Sequence, residues 1–130
     1  MCSYVRYCEL TDADFPDLST CFDAAGRDII TSAFLDDNDF SYLPEDLFAG
    51  MNALQFIRLN HFPRLETLPE GLFAGLTAVE KISIRDNALI WLPEGLFAGL
   101  TSLQQIYMDH NPITAIPTGI FAGLTSLVKV

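Results

Sequence analysis

The chain has 130 residues, half of them apolar, and a net charge of −10, enough for one domain with a sizeable core and too little for two. No apolar run reaches the length needed to cross a bilayer, so direct membrane insertion is not expected, and an acidic balance argues against nucleic-acid binding, where clustered Lys and Arg make the phosphate contacts. The acid is unevenly placed: residues 1–46 carry eleven acids and two bases, a net of −9, and residues 47–130 carry six acids and five bases, a net of −1.

Cys2, Cys8 and Cys21 all fall at the start of the chain and none recurs later. Cysteines confined to one end read as a local disulfide staple in an oxidising compartment. Three is an odd number, so either one pairs with a cysteine outside this chain or all three are free thiols in a reducing cytosol. From Cys8 the chain reads C-E-L-T-D-A-D-F-P, a blurred form of a pattern that sharpens downstream. Terminal units of a repeat array are atypical because one side meets water. Residues 1–28 are accordingly expected to form an N-terminal cap, with Glu9, Asp12, Asp14, Asp17, Asp23 and Asp28 on its solvated face.

Residues 29–130 are repetitive. L-P-E-D-L-F-A-G-M-N-A-L begins at Leu43, L-P-E-G-L-F-A-G-L-T-A-V at Leu68, L-P-E-G-L-F-A-G-L-T-S-L at Leu92 and I-P-T-G-I-F-A-G-L-T-S-L at Ile116, giving spacings of 25, 24 and 24 residues. A fixed period in this range denotes a solenoid. Each unit also contains a short alternating piece, Ala33–Leu35, Ile57–Leu59, Ile82–Ile84 and Ile106–Met108. Alternation over a few residues predicts a strand with one buried face. Because every strand runs the same way within its unit, stacking predicts a parallel sheet.

Two columns follow from the register. Phe48, Phe73, Phe97 and Phe121 recur on the return segment, where their rings are expected to fill the interior. Asn38, Asn87 and Asn111 follow the strand, where an amide can replace lost ladder partners. Phe62-Pro63 stands where the remaining unit should have Asn; this unit carries the extra residue, and a local rearrangement within an intact stack is expected. The chain stops at Leu127–Val130, inside a repeat, which predicts a piece of a longer protein. An open last strand at Lys129–Val130 predicts self-association through unpaired backbone groups.

If alternate strand residues are buried, their neighbours face outward. This gives Ser32, Phe34, Asp36 and Asp37; Phe56, Arg58, Asn60 and His61; Lys81, Ser83, Arg85 and Asp86; Gln105, Tyr107, Asp109 and His110; and Lys129. Four of the seven basic residues, Arg58, Lys81, Arg85 and Lys129, land on this face, beside aromatic residues of the kind that dominate protein-binding hot spots. The competing reading is an ordinary solvated sheet surface.

No catalytic residue, cofactor or metal site is expected. His61 and His110 share a column with Asp86 between them, but two strand spacings of about 4.8 Å separate them, too far for one metal. Asp36–Asp39 fails as a calcium loop because Phe40, Ser41 and Leu47 occupy positions that need a ligand, a glycine and an acid. Neither a glycine-rich phosphate loop nor a nucleophile with a histidine base is present.

The residues from 30 to 130, with L-x-x-L-x-L, Asn, L-P and Phe in register, resemble the leucine-rich repeat family. The resemblance implies an α/β repeat solenoid: a right-handed horseshoe with a concave parallel β-sheet and a convex side of loops and short helical turns. It also implies a non-catalytic module that binds a protein ligand through the concave face, in a secreted or cell-surface receptor-like protein. The alternatives are an intracellular scaffold and the repeat segment of a larger enzyme such as a receptor kinase. The stretch from Cys8 to Pro16 resembles the end of the cysteine-bearing cap of extracellular members.

Overall fold

A repeat whose strand is only a few residues long cannot bury its apolar side alone, and stacking copies in register solves this. The computed structural model of the chain describes Tyr4–Val5, Asp28 and residues 30–130; Cys2, Cys8, Cys21 and most of segment 1–28 lie outside the described residues. Five short strands, β1 (Tyr4–Val5), β2 (Ser32–Phe34), β3 (Phe56–Arg58), β4 (Lys81–Ser83) and β5 (Gln105–Tyr107), form one sheet in sequence order. All four pairings are parallel. A further bridge pairs Gln105 with Lys129.

The strands begin one residue earlier than alternation alone predicts. The cause lies in the backbone: the carbonyl of Thr31 accepts from both Gln55 N (2.8 Å) and Phe56 N (3.1 Å), and those of Gln55, Glu80 and Gln104 do the same for the units that follow. Pairing therefore starts ahead of the first buried side chain. At the far end the ladder continues past each strand, with Leu35 N donating to Arg58 O (2.9 Å), Leu59 N to Ser83 O (2.8 Å) and Ile84 N to Tyr107 O (2.7 Å).

The return segments are chains of tight turns, and among the described residues no α-helix forms. In one unit Leu72 N donates to Pro69 O, Ala74 N to Gly71 O and Leu76 N to Phe73 O, at 3.0–3.3 Å. The repeated sequence explains why these turns do not merge into a helix. Proline opens the segment without an N–H to give, and Gly75 at φ +77° ends it in the left-handed region, open to glycine without a side-chain penalty. Consecutive units also touch here: Glu70 Oε1 accepts from Gly95 N at 3.1 Å.

Between sheet and turns lies one continuous core. Ile57, Ile82 and Ile106 stack from one strand to the next, as do Leu59 and Ile84, and Leu68 and Leu92, all essentially inaccessible to water. Phe48, Phe73, Phe97 and Phe121 form a file of rings with centroids 6.1–6.3 Å apart and planes within 16° of parallel. Each ring covers the next, so the file ties every unit to its neighbour.

The asparagine column does the corresponding work for polar groups. Asn87 Nδ2 donates to Leu59 O of the preceding unit (2.8 Å) while its Oδ1 accepts from Phe62 N (2.8 Å). Asn111 repeats this toward Ile84 O (2.8 Å) and Leu89 N (3.3 Å), and Asn38 donates to Leu35 O (2.7 Å). Phe62 occupies the place of the missing asparagine. Its ring is fully buried and packs at 6.0 Å on Phe40, while Asn87 satisfies its N–H. The β3–β4 register continues across this irregular unit without a slip.

Two substitutions probe these columns. Phe73→Ala removes a ring packed on both sides and should cost roughly 3–5 kcal/mol, read as a fall in the chemical-denaturation midpoint. Asn87→Ala leaves Leu59 O and Phe62 N buried without a partner, each at about 1–3 kcal/mol. The same change at half-buried Asn111, whose freed groups can reach water, should cost less.

Candidate functional site: the outward face of the sheet

Strand pairing arranges the outward side chains in rows that run across the sheet. The first row is Ser32, Phe56, Lys81, Gln105 and Lys129, and the second is Phe34, Arg58, Ser83 and Tyr107. Two residues further along each strand come Asp36, Asn60, Arg85 and Asp109. The ladder continues past them, since Asp37 N donates to Asn60 O, His61 N to Arg85 O and Asp86 N to Asp109 O at 3.0–3.2 Å. Asp37, His61, Asp86 and His110 then form a lip along the end of the sheet.

These rows are coupled by charge. Arg58 Nε donates to the Asp36 carboxylate and its guanidinium lies 4.5 Å from the centroid of the Phe34 ring. Arg85 grips Asp109 Oδ2 through Nε (2.9 Å) and Nη2 (2.6 Å). Tyr107 is surrounded by cations: Lys81 Nζ at 4.9 Å, Lys129 Nζ at 4.8 Å and the Arg85 guanidinium at 6.0 Å from its centroid. Its hydroxyl donates to Gln105 Oε1 at 3.1 Å. Asn60 Oδ1 accepts from Ser83 Oγ and Arg85 N, both at 2.9 Å. Between β2, β3 and β4 the rows leave a pocket of about 180 Å³ lined by Phe34, Phe56, Ile57, Arg58, Lys81 and Ser83.

The sequence placed all of these residues on one face, and the structure sorts them further. Ser32 and Ser83 are nearly covered; their small side chains sit beneath longer neighbours, so Ser83 offers a partner little surface beyond the pocket floor. Alternation put the lip residues in one column; their backbone conformation is what it did not anticipate. Asp37, His61, Asp86 and His110 all adopt φ between 55° and 62°, a region where Asp and His are enriched among non-glycine residues. Acid and imidazole alternate along it: His61 Nδ1 is 3.3 Å from Asp37 Oδ1, His61 Nε2 3.5 Å from Asp86 Oδ2, and His110 Nδ1 3.3 Å from Asp86 Oδ1. Asp86 thus bridges the two histidines. Among the described residues no group of three or more His, Cys, Asp or Glu is arranged to hold a metal.

A leucine rich repeat family model matches residues 61–113 and 79–129, more than half of the chain. The chain belongs to the leucine-rich repeat family. Among solved structures it is similar to a chain of the Drosophila Toll–Spatzle complex in its glycosylated form, which is described as a molecular hub in development and innate immunity; the TM-score is 0.71 and the identity 27%. That match covers 78% of this chain and 14% of the other, so the sequence spans about one seventh of that neighbour. No curated protein sequence matches it.

As a leucine-rich repeat module the chain uses its sheet as the concave face, and the side chains there are partly held in place by one another. The Arg85–Asp109 pair is the clearest case. The hydrogen bond from Arg85 holds the Asp109 carboxyl below its ordinary value of 3.8, against a smaller opposing effect of partial desolvation, and Asp109 in turn raises Arg85. A carboxylate depressed in the folded state stabilises that state above the unfolded pKa, and the contribution is lost as pH falls through the folded value. In a carboxyl-resolved NMR titration Asp109 should therefore protonate at lower pH than an ordinary aspartate, and Arg85→Ala should move its midpoint back upward.

Proposed function

We propose that this leucine-rich repeat segment is a non-catalytic recognition module that binds a protein ligand on its concave face, within a secreted or cell-surface receptor-like protein. One observation carries the reading: the outward rows of the sheet change in charge and aromatic content from unit to unit, while the convex turns do not. The convex turns repeat L-P-E-G-L-F-A-G almost unchanged, whereas the rows above the strands mix Phe56, Arg58, Lys81, Arg85, Tyr107 and the paired acids. A surface that differs from unit to unit can distinguish one partner from another; a repeated one cannot. Aromatic and arginine side chains already ordered by their neighbours bind with less loss of side-chain freedom.

The similarity to a chain of the Toll–Spatzle complex supports a protein as the partner and a compartment outside the cell, where Cys2, Cys8 and Cys21 would be oxidised. In this reading residues 1–28 act as the cap of an array that occupies residues 29–130. Among the described residues no helix is long and apolar enough to cross a membrane.

The test is a binding screen against a display library of secreted and ectodomain proteins. Ligands recovered on the intact chain should lose at least tenfold in affinity, about 1.4 kcal/mol, with Arg58→Glu combined with Tyr107→Ala. They should be unaffected by Asp46→Lys on the convex turns. Ligands that follow the convex change and ignore the concave pair would reject the proposal.

A further inference from the structure

Charge on the concave face is graded along the strand direction. The first row carries Lys81 and Lys129 and no acid, a formal +2; the second carries Arg58 alone, +1. In the third, Asp36 and Asp109 outweigh Arg85, giving −1, and the lip, with neutral histidines, holds Asp37 and Asp86, giving −2. Internal pairing neutralises the middle of this gradient. Arg58 is taken up by Asp36 and Arg85 by Asp109, and the lip acids face His61 and His110.

What remains uncompensated lies at one edge. Among the described residues Lys81 and Lys129 make no ion pair; both ammonium groups lie instead over the Tyr107 ring. An aromatic face orients a cation without neutralising it. In a chain of net charge −10, two exposed lysines that flank one ring, with Gln105 between them in the row, form a localised positive patch. The pocket of about 180 Å³ between Phe34 and Phe56 has Lys81 on its rim. It is smaller than the roughly 300–1,000 Å³ of small-molecule sites and suits a single apolar side chain.

Resting on the concave-face reading above, we infer that the ligand presents an acidic segment with one aromatic or branched aliphatic side chain: the apolar group enters the Phe34–Phe56 pocket and flanking carboxylates meet Lys81 and Lys129. The acidic lip fixes the orientation, because a carboxylate placed there would meet Asp37 and Asp86. Complementary charge of this kind raises the association rate and excludes wrong alignments more than it adds affinity.

A random-peptide display selection against the whole chain tests this. Enriched peptides should be acidic and share one Phe, Trp, Leu or Ile. Their binding should weaken at least tenfold with Lys81→Glu plus Lys129→Glu, by a smaller factor with the paired Gln substitutions, and as salt is raised; Asp46→Lys should leave it unchanged. Unaltered circular dichroism and thermal midpoints establish that the variants are folded. Peptides that depend on Phe56, by loss with Phe56→Ala, yet are neutral or basic and indifferent to both lysine pairs would overturn the charge inference and leave the concave-face reading standing. Peptides indifferent to Phe56→Ala and to the lysine changes alike would overturn the concave-face reading itself.

Discussion

Everything in this protein depends on one constraint: a unit of about two dozen residues cannot satisfy its own backbone or bury its own apolar side, so both must be completed by the next copy. The sheet shows this for the backbone, where each strand's groups pair across to the following repeat. The phenylalanine file shows it for the core, and the asparagine column for polar groups beyond the strand. In all three the partner of a residue is its counterpart in the adjacent unit or a neighbour of that counterpart. Register is therefore conserved along the stack, and a unit can vary only where its side chains do not take part.

The irregular unit shows how much variation the stack absorbs. Phe62 replaces a polar bridge with a buried ring and Pro63 follows it at the surface, yet the sheet continues because Asn87 still reaches back to Phe62 N and Leu59 O. A missing asparagine is tolerated when the next unit has one and when its place is filled by apolar volume that packs on Phe40. Loss of the polar bridge without compensating volume would leave both an orphaned backbone group and a cavity.

The same constraint shapes the sheet face on which we propose that a partner binds. Stacking fixes the spacing of the side chains on the concave rows while leaving their type open. Their identities create a positive edge, a self-paired middle and an acidic lip. The pairs in the middle hold Arg58 and Arg85 in place, and Tyr107 gathers the two lysines that have no acid of their own. At the lip, the left-handed backbone of four successive units lines up Asp37, His61, Asp86 and His110 so that acid alternates with imidazole. The face is consequently an ordered array and not a set of independent surface charges.

Much of this was legible in the sequence, because the repeat period converts one-dimensional spacing into three-dimensional adjacency. Residues such as Ile57 and Ile82, or Phe73 and Phe97, had to stack once the period was recognised, and the outward set including Arg58, Lys81 and Tyr107 followed from alternation. The strand limits were displaced by one residue because hydrogen bonding starts at the carbonyls of Thr31, Gln55 and Glu80, which side-chain pattern does not reveal. The convex side is built of the expected short turns, because Pro69 and Gly75 bound a segment too short to propagate a helix. Which charges neutralise each other was decided only in the tertiary structure. Asp36 meets Arg58, Arg85 meets Asp109, and Lys81 with Lys129 meets Tyr107, since such pairings depend on side-chain reach across neighbouring strands. Sequence determined which residues share the face; packing distances between units determined which of them pair with one another.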